Sequence, residues 1–251
     1  MEPIALQLYT VRSLTQNDFV GTLRKLADAG YTAVEFAGYG GISARMMRAE
    51  LEKLGMIAAG AHVGYKLWNE SLESTIQDLL TLGCEYAVVP WLEPALRPTT
   101  GDQVKALAES LNTWGAACKA AGIRLGYHNH DFEFNRIDGV TIYDMLASLT
   151  EVDLQLDVYW AKFIGFDAVP LIEKYSGRMP QLHCKDLNKD GSGSDAVFGE
   201  GQVPWNEVLP AAHRSGTKWY ICEQDTPHDP LADSAQSLIN MRAKLKVLGI
   251  A

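Results

Sequence analysis

Six times along the chain, a stretch with helical polar–apolar spacing ends at a glycine, and a β-rich apolar run begins a few residues later. The unit reads Leu26-Ala27-Asp28-Ala29-Gly30 into Ala33-Val34-Glu35-Phe36, then Leu51-Glu52-Lys53-Leu54-Gly55 into Ile57-Ala58-Ala59-Gly60-Ala61-His62-Val63. It recurs at Gly83 before Tyr86-Ala87-Val88-Val89, at Gly122 before Ile123, at Gly177 before Gln181-Leu182-His183 and at Gly216 before Trp219-Tyr220-Ile221-Cys222-Glu223. Glycine just past a helix end takes the left-handed conformation that closes it. Strands separated by helices must pair in parallel through right-handed crossovers. The pattern predicts eight strands, near residues 4–9, 32–36, 57–63, 86–91, 123–130, 153–158, 180–185 and 218–223. Eight units in 251 residues match a closed (β/α)8 barrel, which typically needs about 250. The expected fold class is therefore α/β, a single (β/α)8 TIM barrel spanning residues 1–251 as one domain. A doubly wound open sheet is the competitor, but the glycine fingerprint it would carry after its first strand does not follow Leu6-Gln7-Leu8-Tyr9.

Composition narrows the partners. A formal net charge of -9 repels phosphate backbones, so nucleic acid is not an expected partner. No apolar stretch approaches the roughly 18 residues needed to span a bilayer, so no membrane association is expected. The start, Met1-Glu2-Pro3-Ile4, has no basic leader, and Cys84, Cys118, Cys184 and Cys222 are scattered without C-x-x-C spacing. These features point to a soluble cytoplasmic protein whose cysteines are small buried residues, and they leave a homo-oligomer open. The polar run from Asn188 to Asp195 reads either as a surface loop or as a lid.

In such a barrel the chemistry sits at the C-terminal ends of the strands. Strand five ends in Tyr127-His128-Asn129-His130-Asp131-Phe132-Glu133, strand six in Leu156-Asp157-Val158-Tyr159-Trp160, strand seven in His183-Cys184-Lys185 and strand eight in Cys222-Glu223-Gln224-Asp225. Four consecutive strands thus deliver His128, Asp157, His183 and Glu223 to one rim. Period-2 alternation puts His128 with His130 and His183 with Lys185, while Cys184 and Cys222 point outward into the packing. Two carboxylates with imidazole form a donor set that favours one divalent ion, Mn2+ or Co2+ foremost, with Zn2+ also compatible and Mg2+ less so.

These segments resemble the xylose-isomerase-like sugar phosphate isomerase/epimerase superfamily, whose barrel is shared by type 2 abasic-site endonucleases. The resemblance spans essentially the whole chain and is most specific at Tyr127-His128-Asn129-His130-Asp131-Phe132-Glu133-Phe134, Leu156-Asp157-Val158-Tyr159-Trp160 and His183-Cys184-Lys185-Asp186. It implies a metal held by Glu, Asp, His and Glu on strands five to eight. Asp157, His183 and Glu223 match; His128 stands where the epimerases carry the strand-five glutamate, a histidine pattern similar to inosose-dehydratase-like members. Symmetric two-base epimerisation needs that glutamate, so its absence favours one-sided proton abstraction.

The expected activity is a metal-dependent isomerase or epimerase acting on a small sugar or keto-sugar. It would abstract a proton α to a carbonyl and stabilise an enediolate through the metal. The alternative is a lyase or dehydratase that eliminates a β-substituent from a keto-sugar, keto-inositol or 3-keto-glycoside. Glu223 or His128 would act as base, and Lys185, His130 or His62 would hold or protonate an oxygen. Trp160 would wall the substrate and Arg12 would meet a substrate anion. Tyr9, Trp68, Trp91 and Tyr159 are further mouth aromatics, and Glu133 reads as a solvated loop acid. A trinuclear-zinc nuclease lacks enough ligands here, since position 160 is Trp. A sugar-binding barrel without catalysis is the remaining class.

Overall fold

A computed structural model describes residues 2–250. Among these, eight parallel strands close into a barrel: β1 (Ile4–Gln7), β2 (Ala33–Ala37), β3 (Ile57–His62), β4 (Tyr86–Val89), β5 (Arg124–His128), β6 (Asp153–Asp157), β7 (Gln181–Cys184) and β8 (Trp219–Cys222). Each strand neighbours the next in sequence, and β8 pairs with β1, Ala5 facing Ile221. The longer helices that follow them are α1 (Phe19–Asp28), α2 (Ala44–Lys53), α3 (Leu72–Leu82), α4 (Gly101–Ala120), α5 (Ile142–Leu149), α6 (Ala168–Lys174), α7 (Trp205–Arg214) and α8 (Pro230–Leu248). All eight strands lie where the repeat predicts them. The observed strands stop one or two residues short of most predicted C-terminal ends, because there the chain turns into the site.

Local chemistry sets the boundaries. Asp18, Ser43 and Thr141 accept a backbone N–H at the starts of α1, α2 and α5, and Thr100 with Gln103 forms a reciprocal capping box at α4. Gly83 closes α3 with φ +84°, a conformation any Cβ would strain. Outward-facing Leu6, Val34, Leu154, Leu156, Leu182, Tyr220, Cys184 and Cys222 pack into one large core against the helices. All four cysteines are buried and unpaired, as expected. Inside the barrel a small separate cluster of Ala5, Ala33, Ala59 and Ile221, flanked by Ile57 and Trp219, forms the floor.

A bulge shapes the interior above that floor. Along β2 and β3 the register steps from Val34–Ala58 to Glu35–Gly60, leaving Ala59 as the extra residue. Ala59 therefore joins the floor, and His62, three residues on, still reaches the interior. The Asn188–Asp195 loop leaves β7 as a short antiparallel hairpin, Asp186–Leu187 against Asp195–Ala196. No helix among the described residues is long and apolar enough to cross a membrane.

Candidate metal centre and barrel mouth

Asp157 closes β6 and caps the short helix Val158–Phe163, accepting the Tyr159 N–H at 2.8 Å through Oδ1. Asn129 ties this point to β5: it takes the Asp157 N–H at 3.0 Å and gives its amide to the Asp157 carbonyl at 3.3 Å. Asp157 Oδ2 is left buried without any partner. A buried carboxylate oxygen in that condition is costly unless a cation meets it. Toward it turns His128 Nε2, at 3.8 Å. His183 Nδ1 lies 2.9 Å from Glu223 Oε2. One ligand atom from each of His128, Asp157, His183 and Glu223 lies within 4.8 Å of the others, and all four residues are buried. The set predicted from the strand ends thus converges, and its donors fit one divalent ion. His62, His128 and His183 form an overlapping group of three imidazoles. That group has no carboxylate of its own to neutralise a dication, so the four-residue set is the better holder.

Burial strengthens the pull of each charged group in the cluster on its neighbours. For His183, burial opposes protonation, but Glu223 and Glu35 on either side outweigh it and raise its pKa to about 10. For Glu223, burial opposes ionisation, but His183 and Lys185 outweigh it and bring the carboxyl down to about 2. Burial, reinforced by Glu223, pushes Asp157 up to about 7. Burial and the neighbouring His183 hold His128 far below the usual imidazole range, so it stays neutral. A neutral imidazole beside an acid that releases its proton near neutrality is an arrangement ready for a cation.

Above the quartet stands Lys185, 1% exposed, paired with Asp225 and lying 4.8 Å and 4.9 Å over the rings of Tyr159 and Trp160. His130 packs on Trp160 with centroids 5.3 Å apart, and two further buried atoms without partners, His130 Nδ1 and Trp160 Nε1, belong to this pair. Burial, with Lys185 adding to it, lowers His130 to about 3, so the ring is neutral. The mouth therefore offers an ammonium, an indole N–H and an imidazole nitrogen on one wall. The Asn188–Asp195 hairpin is tied over it: Tyr159 donates to the Gly193 carbonyl, and Asp195 accepts from Thr226 N and Oγ1.

Some expected residues lie elsewhere. Arg12 donates to the carbonyls of Tyr9 and Asp225 and stacks on Tyr9, which joins the loops after β1 and β8 and spends its guanidinium on backbone. Trp68 is a core residue donating to the Val63 carbonyl, whereas Tyr9 and Trp91 are exposed beneath Arg12 and Arg97. Glu133 is not a solvated loop acid. The turn Phe132–Phe134 folds it fully inside, where it accepts from the Tyr127 hydroxyl at 2.7 Å and the His130 N–H at 2.8 Å.

Below the quartet lies a polar layer that the strand-end reading missed. Glu35 on β2 accepts from Gln7 Nε2 at 2.7 Å, Gln155 Nε2 at 2.7 Å and His183 Nε2 at 2.8 Å, with His62 Nε2 at 3.1 Å. Gln155 Oε1 takes His62 Nε2 at 2.7 Å and His128 Nδ1 at 3.0 Å, while Gln181 Nε2 reaches the Ala59 carbonyl. Gly60 makes room: a Cβ there would come 2.8 Å from Gln181 Nε2. The available signal is a polar residue at an inward position inside an otherwise apolar strand, as in Ala33-Val34-Glu35-Phe36. Asp186 was missed too; it gathers the N–H groups of Gly199, Gly201 and Val203 and the Trp205 indole, fixing the loop after β7.

Known proteins share this frame. The family model for a xylose isomerase-like TIM barrel matches residues 23–243. Inosose dehydratase from Geobacillus kaustophilus is 25% identical over 192 residues, which is 67% of this chain and 62% of that one, so the match spans less than two thirds of that relative. A sugar phosphate isomerase/epimerase from Parabacteroides distasonis superposes with a TM-score of 0.81 at 28% identity, covering 94% of this chain and 97% of that one. The IOLI protein, whose crystal structure holds a zinc atom, superposes with a TM-score of 0.78 at 12% identity over 98% and 99% of the two chains, a likeness of fold.

Proposed function

The chain belongs to the xylose isomerase-like TIM-barrel family, an enzyme family, and from that premise we propose that it is a divalent-metal-dependent isomerase or epimerase of a small sugar or keto-sugar. The observation that carries this reading is Asp157 Oδ2, buried and unpartnered among His128, His183 and Glu223. Mn2+, Co2+ or Zn2+ suits the two-nitrogen, two-carboxylate set, and the zinc-bearing IOLI protein has the same fold. A bound dication supplies Lewis-acid polarisation of a substrate carbonyl and so acidifies the neighbouring C–H.

The residues of the chain supply the rest. Glu223 is the proposed general base. Its low pKa belongs to the metal-free state, because it comes mainly from the protonated His183, which gives up its Nδ1 proton before that nitrogen can ligate. Lys185 neutralises charge developing on a substrate oxygen, and its stacking between Tyr159 and Trp160 keeps the ammonium aimed into the mouth. Trp160 Nε1 donates to a substrate hydroxyl and His130 Nδ1 bonds another, which satisfies both orphaned atoms. The tethered β7 hairpin keeps water out.

A second reading has its own support. His128 is neutral and hydrogen-bonded at Nδ1 where two-base epimerisation would need a second carboxylate, and inosose dehydratases are among the relatives. One base with Lys185 as a separate acid suits elimination of a β-substituent from a keto-inositol or keto-glycoside. Both readings share a first step, and one experiment tests it. Metal per chain is measured by plasma mass spectrometry for the wild type and the Asp157→Ala/Glu223→Ala variant, and keto-sugars are then followed in D2O by proton NMR. One ion per chain, metal-dependent α-deuteration and their joint loss in the variant are expected; a product isomeric with the substrate marks isomerisation, and an enone-type product with loss of water or of an aglycone marks elimination. A wild type that retains no Mn2+, Co2+ or Zn2+ sinks both.

A further inference from the structure

Glu35 is an ionisable group sealed in the barrel that the proposed chemistry does not touch. It is 0% exposed, and its two oxygens accept from three donors, Gln7 Nε2, Gln155 Nε2 and His183 Nε2, with His62 Nε2 3.1 Å away. A protonated carboxyl would turn an O–H against one of those donors, so the ring of partners fits only the carboxylate.

The consequence runs outward along the hydrogen bonds. Glu35 Oε2 can only accept, so His183 Nε2 must carry the proton, and a neutral His183 then has its lone pair on Nδ1, the nitrogen facing Glu223. Glu35 Oε1 also claims the amide nitrogen of Gln155, and Gln181, itself oriented by the Ala59 carbonyl, offers its oxygen to the same nitrogen at 3.1 Å. Gln155 is therefore held with its carbonyl oxygen toward His62 and His128. That oxygen takes the proton of His128 Nδ1 and leaves the lone pair on Nε2, the nitrogen facing Asp157 Oδ2.

We propose that Glu35 is the positioning residue of the metal centre, setting His183 directly and His128 through Gln155 into opposite tautomers, so that each imidazole turns a bare nitrogen to the ion. The inference rests on the metal-centre reading above. It explains why an acid stands beneath the quartet rather than within it. The strand-five ligand is an imidazole, whose tautomer must be chosen, and the same anion that orients His183 makes that choice through one amide.

The test uses Zn2+ alone with 15N-labelled protein. Long-range 1H–15N correlation of the zinc-loaded wild type should show His183 protonated at Nε2 and His128 at Nδ1. Zn2+ affinity, read by competition with a chromophoric chelator, should fall about 10- to 100-fold in Glu35→Gln, the size expected for a residue supporting a metal-ligating histidine. In that variant an amide NH2 would face at least one of the three donors whichever way it turned. Gln7→Leu removes one hydrogen bond to the same carboxylate without touching either imidazole, and it should stay within about threefold of wild type, well short of the 10- to 100-fold range. Like tautomers on the two histidines, or a zinc-bound His183 protonated at Nδ1, would overturn the proposal from the wild type alone, even if Glu35→Gln does not fold. Equal affinity in Glu35→Gln and wild type, or equal losses in Glu35→Gln and Gln7→Leu, would overturn it as well. A wild type that takes up no Zn2+ removes the metal centre itself, a different failure from one in which zinc binds and the variants do not differ.

Discussion

Two levels of side chains line the inside of this barrel, and along β1 and β2 they lie only two residues apart. The lower level is Ala5, Ala33, Ala59 and Ile221, small and fully buried. The upper is Gln7, Glu35, His62, His128, Gln155 and His183, rising to Asp157 and Glu223. Ala5 and Gln7 share a strand and a face, as do Ala33 and Glu35. The floor gains its free energy by burying apolar surface, and nothing in it needs a partner. Each polar atom in the upper level forfeits water and must find a protein partner. Nearly all do; Asp157 Oδ2 is the exception at the quartet. The contrast teaches that a barrel can confine the unfavourable groups its chemistry requires to one level, supported from beneath by a level with no chemistry.

The largest expected effect sets one level against the other. Lys185→Met keeps the stem against Tyr159 and Trp160 but removes the charge. Turnover should fall about 10²- to 10³-fold, within the usual range for a group that moves or stabilises a proton, while metal content stays at wild type. Ile221→Ala in the floor should cost about 2–5 kcal/mol in urea unfolding, with turnover per folded molecule unchanged. If the floor variant lost turnover while keeping its stability, or the mouth variant lost stability and kept its turnover, the division would break.

The sequence discloses the two levels unequally. The strands were legible because glycine-ended helices recur in register with apolar runs, and the quartet because an acid or histidine at each of four successive strand ends is conspicuous. Glu35 was not legible. Its partner Gln155 is 120 residues away in sequence, and one acid within Ala33-Val34-Glu35-Phe36 does not announce whether it faces the lumen. The bulge at Ala59 lies on the neighbouring β3 and breaks the alternation there, so that Ala59 and His62 both face the interior. Glu133 was misjudged for a related reason, since a polar residue past a strand end looks solvated until the chain folds back under Tyr127.

The boundary between the levels can be probed at Gly60. A methyl there meets Gln181 Nε2 at 2.8 Å, and Glu35 Oε1 and the Tyr86 carbonyl at 3.3 Å. Gln181 is anchored to Ala59 and cannot swing aside freely. Gly60→Ala should therefore destabilise by about 1–3 kcal/mol, as overpacking does. It should also weaken metal binding, because the displaced amide is the one that orients Gln155. A drop in stability with metal affinity untouched would show that the polar layer and the quartet are energetically separate.

Glu133 sharpens the comparison from outside both levels, through an effect that builds with pH. In the upper level Glu35 and Glu223 are paired with His183; Glu133 has only the Tyr127 hydroxyl and one N–H, and burial pushes its pKa up to about 8 from 4.5. Between those values the folded chain binds a proton that the unfolded chain has released. Stability is then full below the lower value and falls as pH rises through the window. A single such group gives a slope of about 1.4 kcal/mol per pH unit. Asp157, raised to about 7, contributes with the same sign in the metal-free protein, so the informative quantity is the difference between Glu133→Gln and wild type in urea unfolding at a fixed metal state. That difference should shift toward the variant steadily from pH 5 to pH 8. A difference independent of pH would mean that Glu133 stays ionised when buried, and that the outer wall of the mouth is built like the level below it.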